Sequence, residues 1–282
     1  RSLMRRLAAM ENLHWHTNTQ SVIGILELAL ATSNQEALDF AHEHLEFLKK
    51  WGNTTMGFFP EIIGVLPDFR GAESCNVAGM IISALKLAES GVDEYWDQAE
   101  AWVRNLFSEL QLLDTTWIER MPMRDFIPGF TTPHRSVIDD RYMSADRVVS
   151  RIVGSFAPSA PPNDWARNYL GITGCCTGNG NRAWYHIWEN ILHHDDGKLR
   201  VNMLLNRGSK WADVDSHVPY TGQVDVKVKK PVDLSIRMPQ WVSPSQTRIT
   251  VNGTDRNART SGRYAEVGEV KPGEVATMTF PI

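Results

Sequence analysis

Gln223-Val224-Asp225-Val226-Lys227-Val228-Lys229 alternates polar and apolar residues without a break, and Val232-Asp233-Leu234-Ser235-Ile236-Arg237-Met238 repeats the pattern. A period of two places one set of side chains on each face of a pleated strand, so each run reads as a strand with one buried face. Asn252-Gly253 follows Arg248-Ile249-Thr250-Val251. That dipeptide is a strong hairpin signal, because both central residues of a type I′ turn need positive φ. Lys271-Pro272-Gly273-Glu274 marks another turn before a last strand. Residues 198–282 therefore read as an antiparallel β-sandwich. Asn252-Gly253-Thr254 and Asn53-Thr54-Thr55 also match the glycosylation sequon. Turn chemistry accounts for the first, and the second is read as a chance match.

Upstream the period changes, and residues 1–197 read as a helical domain. Gln20–Leu30 is apolar around much of its circumference, as a buried helix would be. Asn34 is placed to cap a second helix running from Gln35 to about Trp51. A similar pair recurs at Val77–Glu89 and Asp93–Leu113; a shift of 58 residues aligns Glu36 with Glu94, Asp39 with Asp97 and Ala41 with Ala99. Repeated helical hairpins are the mark of solenoids and α/α toroids. The stretch 120–170, with six prolines, reads as long loops around one helix near Ala145–Val153.

The chain has 282 residues, a formal charge of −4, ten tryptophans and three cysteines. Its mild acidity gives no electrostatic case for nucleic acid or an anionic membrane. No apolar run reaches the roughly 18 residues of a membrane span. An odd cysteine count argues against a disulfide framework, and free thiols favour a reducing cytoplasm. Arg1-Ser2-Leu3-Met4-Arg5-Arg6 shows neither an initiator Met nor a signal peptide, so the chain is expected to be processed or a fragment of something longer.

The cysteines carry the chemistry. Cys175-Cys176 lies in Gly174-Cys175-Cys176-Thr177-Gly178-Asn179-Gly180, and Cys75 follows Glu73-Ser74. Each cluster precedes a helix-like stretch, so both are expected on a turn or extended segment at a helix N-terminus. There the dipole favours thiolates. Three thiols and a carboxylate suit a zinc site. Small buried core cysteines are the alternative. His193-His194-Asp195-Asp196 reads as a solvated helix end, His42-Glu43-His44 as an exposed helix face, and Trp184 and Trp188, at i,i+4 spacing, as core.

Gly171-Ile172-Thr173-Gly174-Cys175-Cys176-Thr177-Gly178-Asn179-Gly180 resembles the Cys-Cys motif of glycoside hydrolase family 127, the β-L-arabinofuranosidase-like proteins. Glu73-Ser74-Cys75 looks like their Glu-Thr-Cys segment, and His16-Thr17-Asn18-Thr19-Gln20 like their His-Ala-Asn-Thr-Gln segment. Val201–Arg207, Trp211–Ser216, Arg237-Met238-Pro239-Gln240-Trp241 and Val251-Asn252-Gly253 are similar to landmarks of their β-sandwich. The resemblance implies a six-hairpin (α/α) toroid, of which the helical part here supplies a portion, followed by β-sandwich modules. It implies a retaining hydrolase with Cys175 as nucleophile. Glu73, Cys75, Cys175 and Cys176 would hold Zn2+, and His16 would bind a sugar hydroxyl. The partner would be a carbohydrate substrate; a homo-oligomer formed through the β-sandwich is compatible with it. The chain departs from the pattern where the family's acid/base Glu is aligned with Gly57. Glu61, among Phe58-Phe59-Pro60 and Ile62-Ile63, is expected to take that role, its pKa raised by apolar neighbours. Asp68 is the other nearby acid. A degenerate zinc-containing carbohydrate-binding or scaffold protein is the alternative function. Zinc-thiolate toroids that activate substrate thiols are a third, disfavoured by the trailing sandwich.

Overall fold

The computed structural model describes residues 13–63, 71–120, 147–158 and 172–282. The N-terminal residues 1–6, Asp68, Gly171 and most of the proline-rich stretch lie outside them.

Helix α1 (Trp15–Thr32) ends where Ser33 turns left-handed, at φ 52°. The chain then enters α2 (Gln35–Lys49), whose cap Asn34 accepts a hydrogen bond from the Ala37 backbone N–H, as the sequence predicts. The second pair is α3 (Ser74–Glu89) and α4 (Glu94–Asn105), followed by a 3-10 turn at Phe107–Leu110. Shifting α1 by 58 residues gives 73–90, which overlays α3 to within one residue at each end. Two short helices follow, α5 (Thr116–Glu119) and α6 (Val148–Arg151). The latter is a single described turn inside the longer helix expected at 145–153. Helix α7 (Gly174–Ile191) closes the helical part.

Helix α3 is the hub. Every residue from Ser74 to Ala88 is buried, because α1, α4 and α7 all pack against it. This explains the run of small and apolar residues around its whole circumference, the pattern of a helix with no solvent face. Helix α2, by contrast, buries only Ala41, His44, Leu45 and Leu48. His44 is therefore a core residue and not part of an exposed face; Glu43 is exposed, as expected.

Two sheets follow. The six-stranded sheet has the order β10-β9-β13-β7-β6-β5 and is antiparallel throughout. It comprises β5 (Arg207–Gly208), β6 (Ala212–Ser216), β7 (Gln223–Val228), β9 (Arg248–Val251), β10 (Thr254–Asp255) and β13 (Val275–Thr279). The five-stranded sheet has the order β11-β12-β8-β4-β3. It comprises β3 (Leu192–Asp195), β4 (Lys198–Val201), β8 (Val232–Arg237), β11 (Arg259–Ser261) and β12 (Tyr264–Val270). The period-two residues are buried as predicted: Val224, Val226 and Val228 on β7, and Val232, Leu234 and Ile236 on β8. Asn252 and Gly253 both take positive φ, 49° and 77°, and join β9 to β10.

Three expectations need correcting here. Strands β4 and β8 pair in parallel, because the chain crosses to the other sheet for β5 to β7 before returning. The sheet region starts at Leu192, ahead of the expected boundary at 198. His193-His194-Asp195 is accordingly a strand and not a helix end. Asp196 and Gly197 turn it into β4 with positive φ, 44° and 77°. The His194 ring stacks on Trp211 with centroids 3.6 Å apart.

A charged cluster joins helices to sheets. Arg237 on β8 is fully buried, with Nη1 2.6 Å from Asp97 Oδ1 and Nη2 2.9 Å from Glu100 Oε2 on α4. Its Nε donates to the Asn202 carbonyl, and Glu100 Oε2 also accepts from the Leu204 N–H at 2.8 Å.

Candidate active site

The first turns of α1, α3 and α7 meet. Their capping residues, His14, Glu73 and Thr173, make no side-chain capping bond. Three positive dipole ends thus face a shared region, and each lends stability to nearby negative charge. Cys75 is the second residue of α3, and Cys175 and Cys176 are the second and third of α7. The thiols lie inside first turns and not on segments before them. Gly178 and Gly180 are likewise helical. Gly180 is needed for packing: a Cβ there would lie 2.4 Å from the Phe156 ring.

Cys75 Sγ donates to Cys176 Sγ at 3.3 Å, and Cys175 Sγ lies 3.9 Å from Cys176 Sγ. The three sulfurs are within 4.8 Å of one another, the one such group of His, Cys, Asp and Glu among the described residues. All three cysteines are free; Cys75 and Cys176 are buried and Cys175 is exposed. Sulfurs at tetrahedral zinc distances stand about 3.8 Å apart. The cluster therefore fits a metal ion with small adjustment. Glu73 is buried, and its Oε2 has no hydrogen-bond partner among the described residues, a costly state for a carboxylate oxygen that a cation would relieve. Its carboxylate is not within 4.8 Å of all three sulfurs, so it must swing inward to complete a four-ligand set.

The electrostatics without a metal follow from burial and mutual charge. The hydrogen bond from Cys75 lowers the Cys176 thiol pKa, against the effect of burial. That same bond, then burial, pushes Cys75 up. Glu73 rises to about 8, through burial first, then the negative charge on Cys176 and on Glu61. Metal-free protein should therefore form its first thiolate below the ordinary thiol range, detectable by ultraviolet thiolate absorbance during a pH titration. Cys176→Ser should abolish this early step; its persistence would place the first thiolate elsewhere. Stability has two opposing parts. The depressed Cys176 contribution is present above the ordinary thiol pKa and is lost as pH falls through the folded value. The raised Glu73 contribution is complete below the ordinary carboxylate value and is lost as pH rises through about 8.

His16, the second residue of α1, reaches this cluster. Its Nε2 is 3.3 Å from the Asn179 amide Nδ2, which also donates to Cys75 Sγ at 3.5 Å and to the Cys175 carbonyl at 3.0 Å. Burial lowers the His16 pKa, opposed by the Cys75 backbone, so the ring is neutral near pH 7 and Nε2 accepts from Asn179. Asn179 ties all three helices together and was not singled out from the sequence. Its position four residues after Cys175, on the same helical face, was the available signal. His14, too near His16 in sequence to be told apart from it there, is separated by the structure. Its Nε2 lies 3.7 Å from Glu73 Oε2 and 3.9 Å from Glu61 Oε1, between the two carboxylates.

Glu61 is brought alongside by a two-residue antiparallel pairing of β1 (Leu13–His14) with β2 (Ile62–Ile63), and its carbonyl accepts from the Trp15 N–H at 2.8 Å. Its side chain is 57% exposed, so the apolar enclosure expected for it is absent. Gly57 sits at φ 74°, and a Cβ there would be 2.8 Å from Trp102 Cβ. That turn is closed by Asn53–Phe58 pairing and has no room for a side chain. Gly57 thus faces Trp102, which would block a Glu at this position.

Residues 205–282 match the family model of the β-L-arabinofuranosidase GH127 middle domain. A solved GH127 β-L-arabinofuranosidase from Geobacillus stearothermophilus T6 aligns with 96% of this chain at 16% identity and TM-score 0.57. The chain is similar to GH127 proteins, in sequence over residues 205–282 and in fold over most of its length. A solved glycoside hydrolase aligns with 95% at 15% identity and TM-score 0.61. A GH127 β-arabinofuranosidase aligns with 96% at 15% identity and TM-score 0.61. At these identities the structural likeness establishes the fold. This GH127-like chain spans 42%, 46% and 43% of those three structures, less than half of each. Comparison with curated proteins finds no match. The family match covers most of the sheet region and stops short of the thiol cluster. No described helix of the GH127-like chain is long and apolar enough to cross a membrane.

Proposed function

We propose that the chain carries the catalytic thiolate site of a retaining glycoside hydrolase acting on β-L-arabinofuranosides, in a partial six-hairpin toroid with its β-sandwich. The convergence of three sulfurs from the N-termini of α3 and α7, with Cys175 alone exposed, carries this reading. Glu73, Cys75, Cys175 and Cys176 would hold a zinc ion, whose chemical contribution is to keep coordinating thiols deprotonated near neutral pH.

The chain's own groups then divide the work. Cys175 Sγ attacks the anomeric carbon; a C–S bond forms as the C–O bond to the leaving group breaks. A carboxylic acid, assigned to Glu61, protonates the departing oxygen. The resulting carboxylate takes a proton from water as that water displaces the sulfur and frees the sugar. This is the retaining sequence with sulfur in place of the usual carboxylate nucleophile. His16 is assigned a sugar-hydroxyl contact through Nε2, which requires the hydroxyl to take the place of the Asn179 amide there. His14 lies close to both the Glu61 and Glu73 carboxylates, at 3.9 Å and 3.7 Å.

Mass spectrometry after incubation with an aryl β-L-arabinofuranoside, alongside elemental zinc analysis, tests the reading. One zinc per chain and a glycosyl adduct on Cys175 are expected. Zinc with no adduct would point to a degenerate carbohydrate-binding protein; no zinc in reduced, chelator-free protein would remove the basis of the site. Glu61→Gln should lower kcat for alkyl glycosides by about 10²–10⁴-fold and spare adduct formation from an activated aryl glycoside. Equal activity on alkyl glycosides would transfer the acid role elsewhere.

A further inference from the structure

At the other end of α7 a groove of about 580 Å³ runs between the helices and the six-stranded sheet. Two aromatic side chains form its accessible walls. Trp188 is 46% exposed and Tyr220, from the loop between β6 and β7, is 94% exposed. Trp188 was expected to be core. Instead the Arg207 guanidinium covers its ring, 4.0 Å from the centroid. Arg207 is itself tied to the carbonyls of Glu189 at 2.8 Å and Leu192 at 3.0 Å. The indole is thus held in place with further surface open to solvent.

Polar groups between these walls suit hydroxyls. The Asn105 amide donates to the Thr55 carbonyl, which leaves its Oδ1 without a partner among the described residues. The Asn206 Oδ1 accepts from the Ser216 N–H, which leaves its amide N–H groups in the same position. An amide acceptor and an amide donor match a hydroxyl, which both donates and accepts. The lining contains no carboxylate. Its one cation, Arg104, is spent on Glu100 at 3.2 Å and on the carbonyls of Val218 and Leu204. The other nearby cation, Arg207 over Trp188, is countered by Glu189 at 3.6 Å, so no unpaired charge faces a ligand.

We infer that this groove is a second glycan-binding site, which holds a neutral oligosaccharide against Trp188 and Tyr220 without cutting it. Sugar rings carry apolar C–H faces that stack on such side chains, while their hydroxyls meet the amides. The choice of a sugar ligand rests on the glycosidase reading above. The site itself is separate from the thiols: Cys175 and Trp188 are 13 residues apart on one helix, about 20 Å at the α-helical rise.

Calorimetric titration with a neutral arabino-oligosaccharide, and with an oligogalacturonate as the anionic comparison, tests this. Wild type and Cys175→Ser should both bind the neutral oligosaccharide. Trp188→Ala and Tyr220→Ala should each weaken binding by about tenfold, with turnover of a small aryl glycoside unchanged. Tyr220 is almost wholly exposed, so Tyr220→Ala decides the matter even where Trp188→Ala folds poorly. Unchanged affinity in Tyr220→Ala, a preference for the oligogalacturonate, or no binding by wild type would overturn the inference. Tyr220-dependent binding without any Cys175 adduct would instead refute the hydrolase reading and leave the groove standing. An adduct with no Tyr220-dependent binding would do the reverse.

Discussion

Cys175→Ser is expected to lower hydrolysis of aryl β-L-arabinofuranosides by about 10⁴-fold or more, as loss of a covalent nucleophile does elsewhere. The chain should remain folded. Cys175 is the exposed member of the cluster, and its sulfur bonds outward to Thr173 Oγ1 at 3.6 Å. Serine keeps the size and that contact but is a far weaker nucleophile, since its hydroxyl is not ionised near neutral pH. The decisive readout is intact-protein mass: the glycosyl adduct should vanish with the sulfur. Cys75 and Cys176 are buried and cannot replace it without repacking α3 against α7. An adduct that survives in Cys175→Ser would place the nucleophile elsewhere and reduce the cluster to a structural metal site.

The second large effect is on stability. Arg237→Ala should destabilise the protein by about 3–5 kcal/mol, measured by urea denaturation. Arg237 is 1% exposed and pairs with both Asp97 and Glu100, which are themselves almost fully covered. Truncation leaves the Asp97 carboxylate without its cation, leaves Glu100 with Arg104 alone, and leaves the Asn202 carbonyl without its donor. The penalty is one of uncompensated burial, and removing the carboxylates together with the arginine should recover much of it. A loss below about 1 kcal/mol would mean that water reaches the cluster and solvates what remains.

Arg237 illustrates how much a sequence can carry without explaining it. It belongs to Arg237-Met238-Pro239-Gln240-Trp241, a landmark of the resemblance, while the alternation of β8 treats its position as one more polar residue. The partners 137 and 140 residues upstream, Glu100 and Asp97, turn it into the tie between helices and sheets. Gly57 shows the converse. The resemblance sets it where the family has a Glu, and the structure adds that its φ of 74° and the nearness of Trp102 leave no room for a side chain.

Local patterns determined the rest at sequence level. The period of two in β7 and β8, the Asn252-Gly253 turn and the Asn34 cap each act within a few residues, and the 58-residue spacing of the helical pairs repeats such a local pattern. Steric and hydrogen-bonding preferences express themselves at that range. The helix N-termini beside Cys75 and Cys175 were legible for the same reason. Tertiary structure alone decided which of these termini meet. His16, Cys75 and Asn179 are tens of residues or more apart in the chain and touch only because α3 packs between α1 and α7. It also decided that Glu61 is exposed beside His14, that β4 runs parallel to β8, and that Trp188 opens onto a groove. Each of these depends on which distant surface covers a residue, and no local periodicity encodes that.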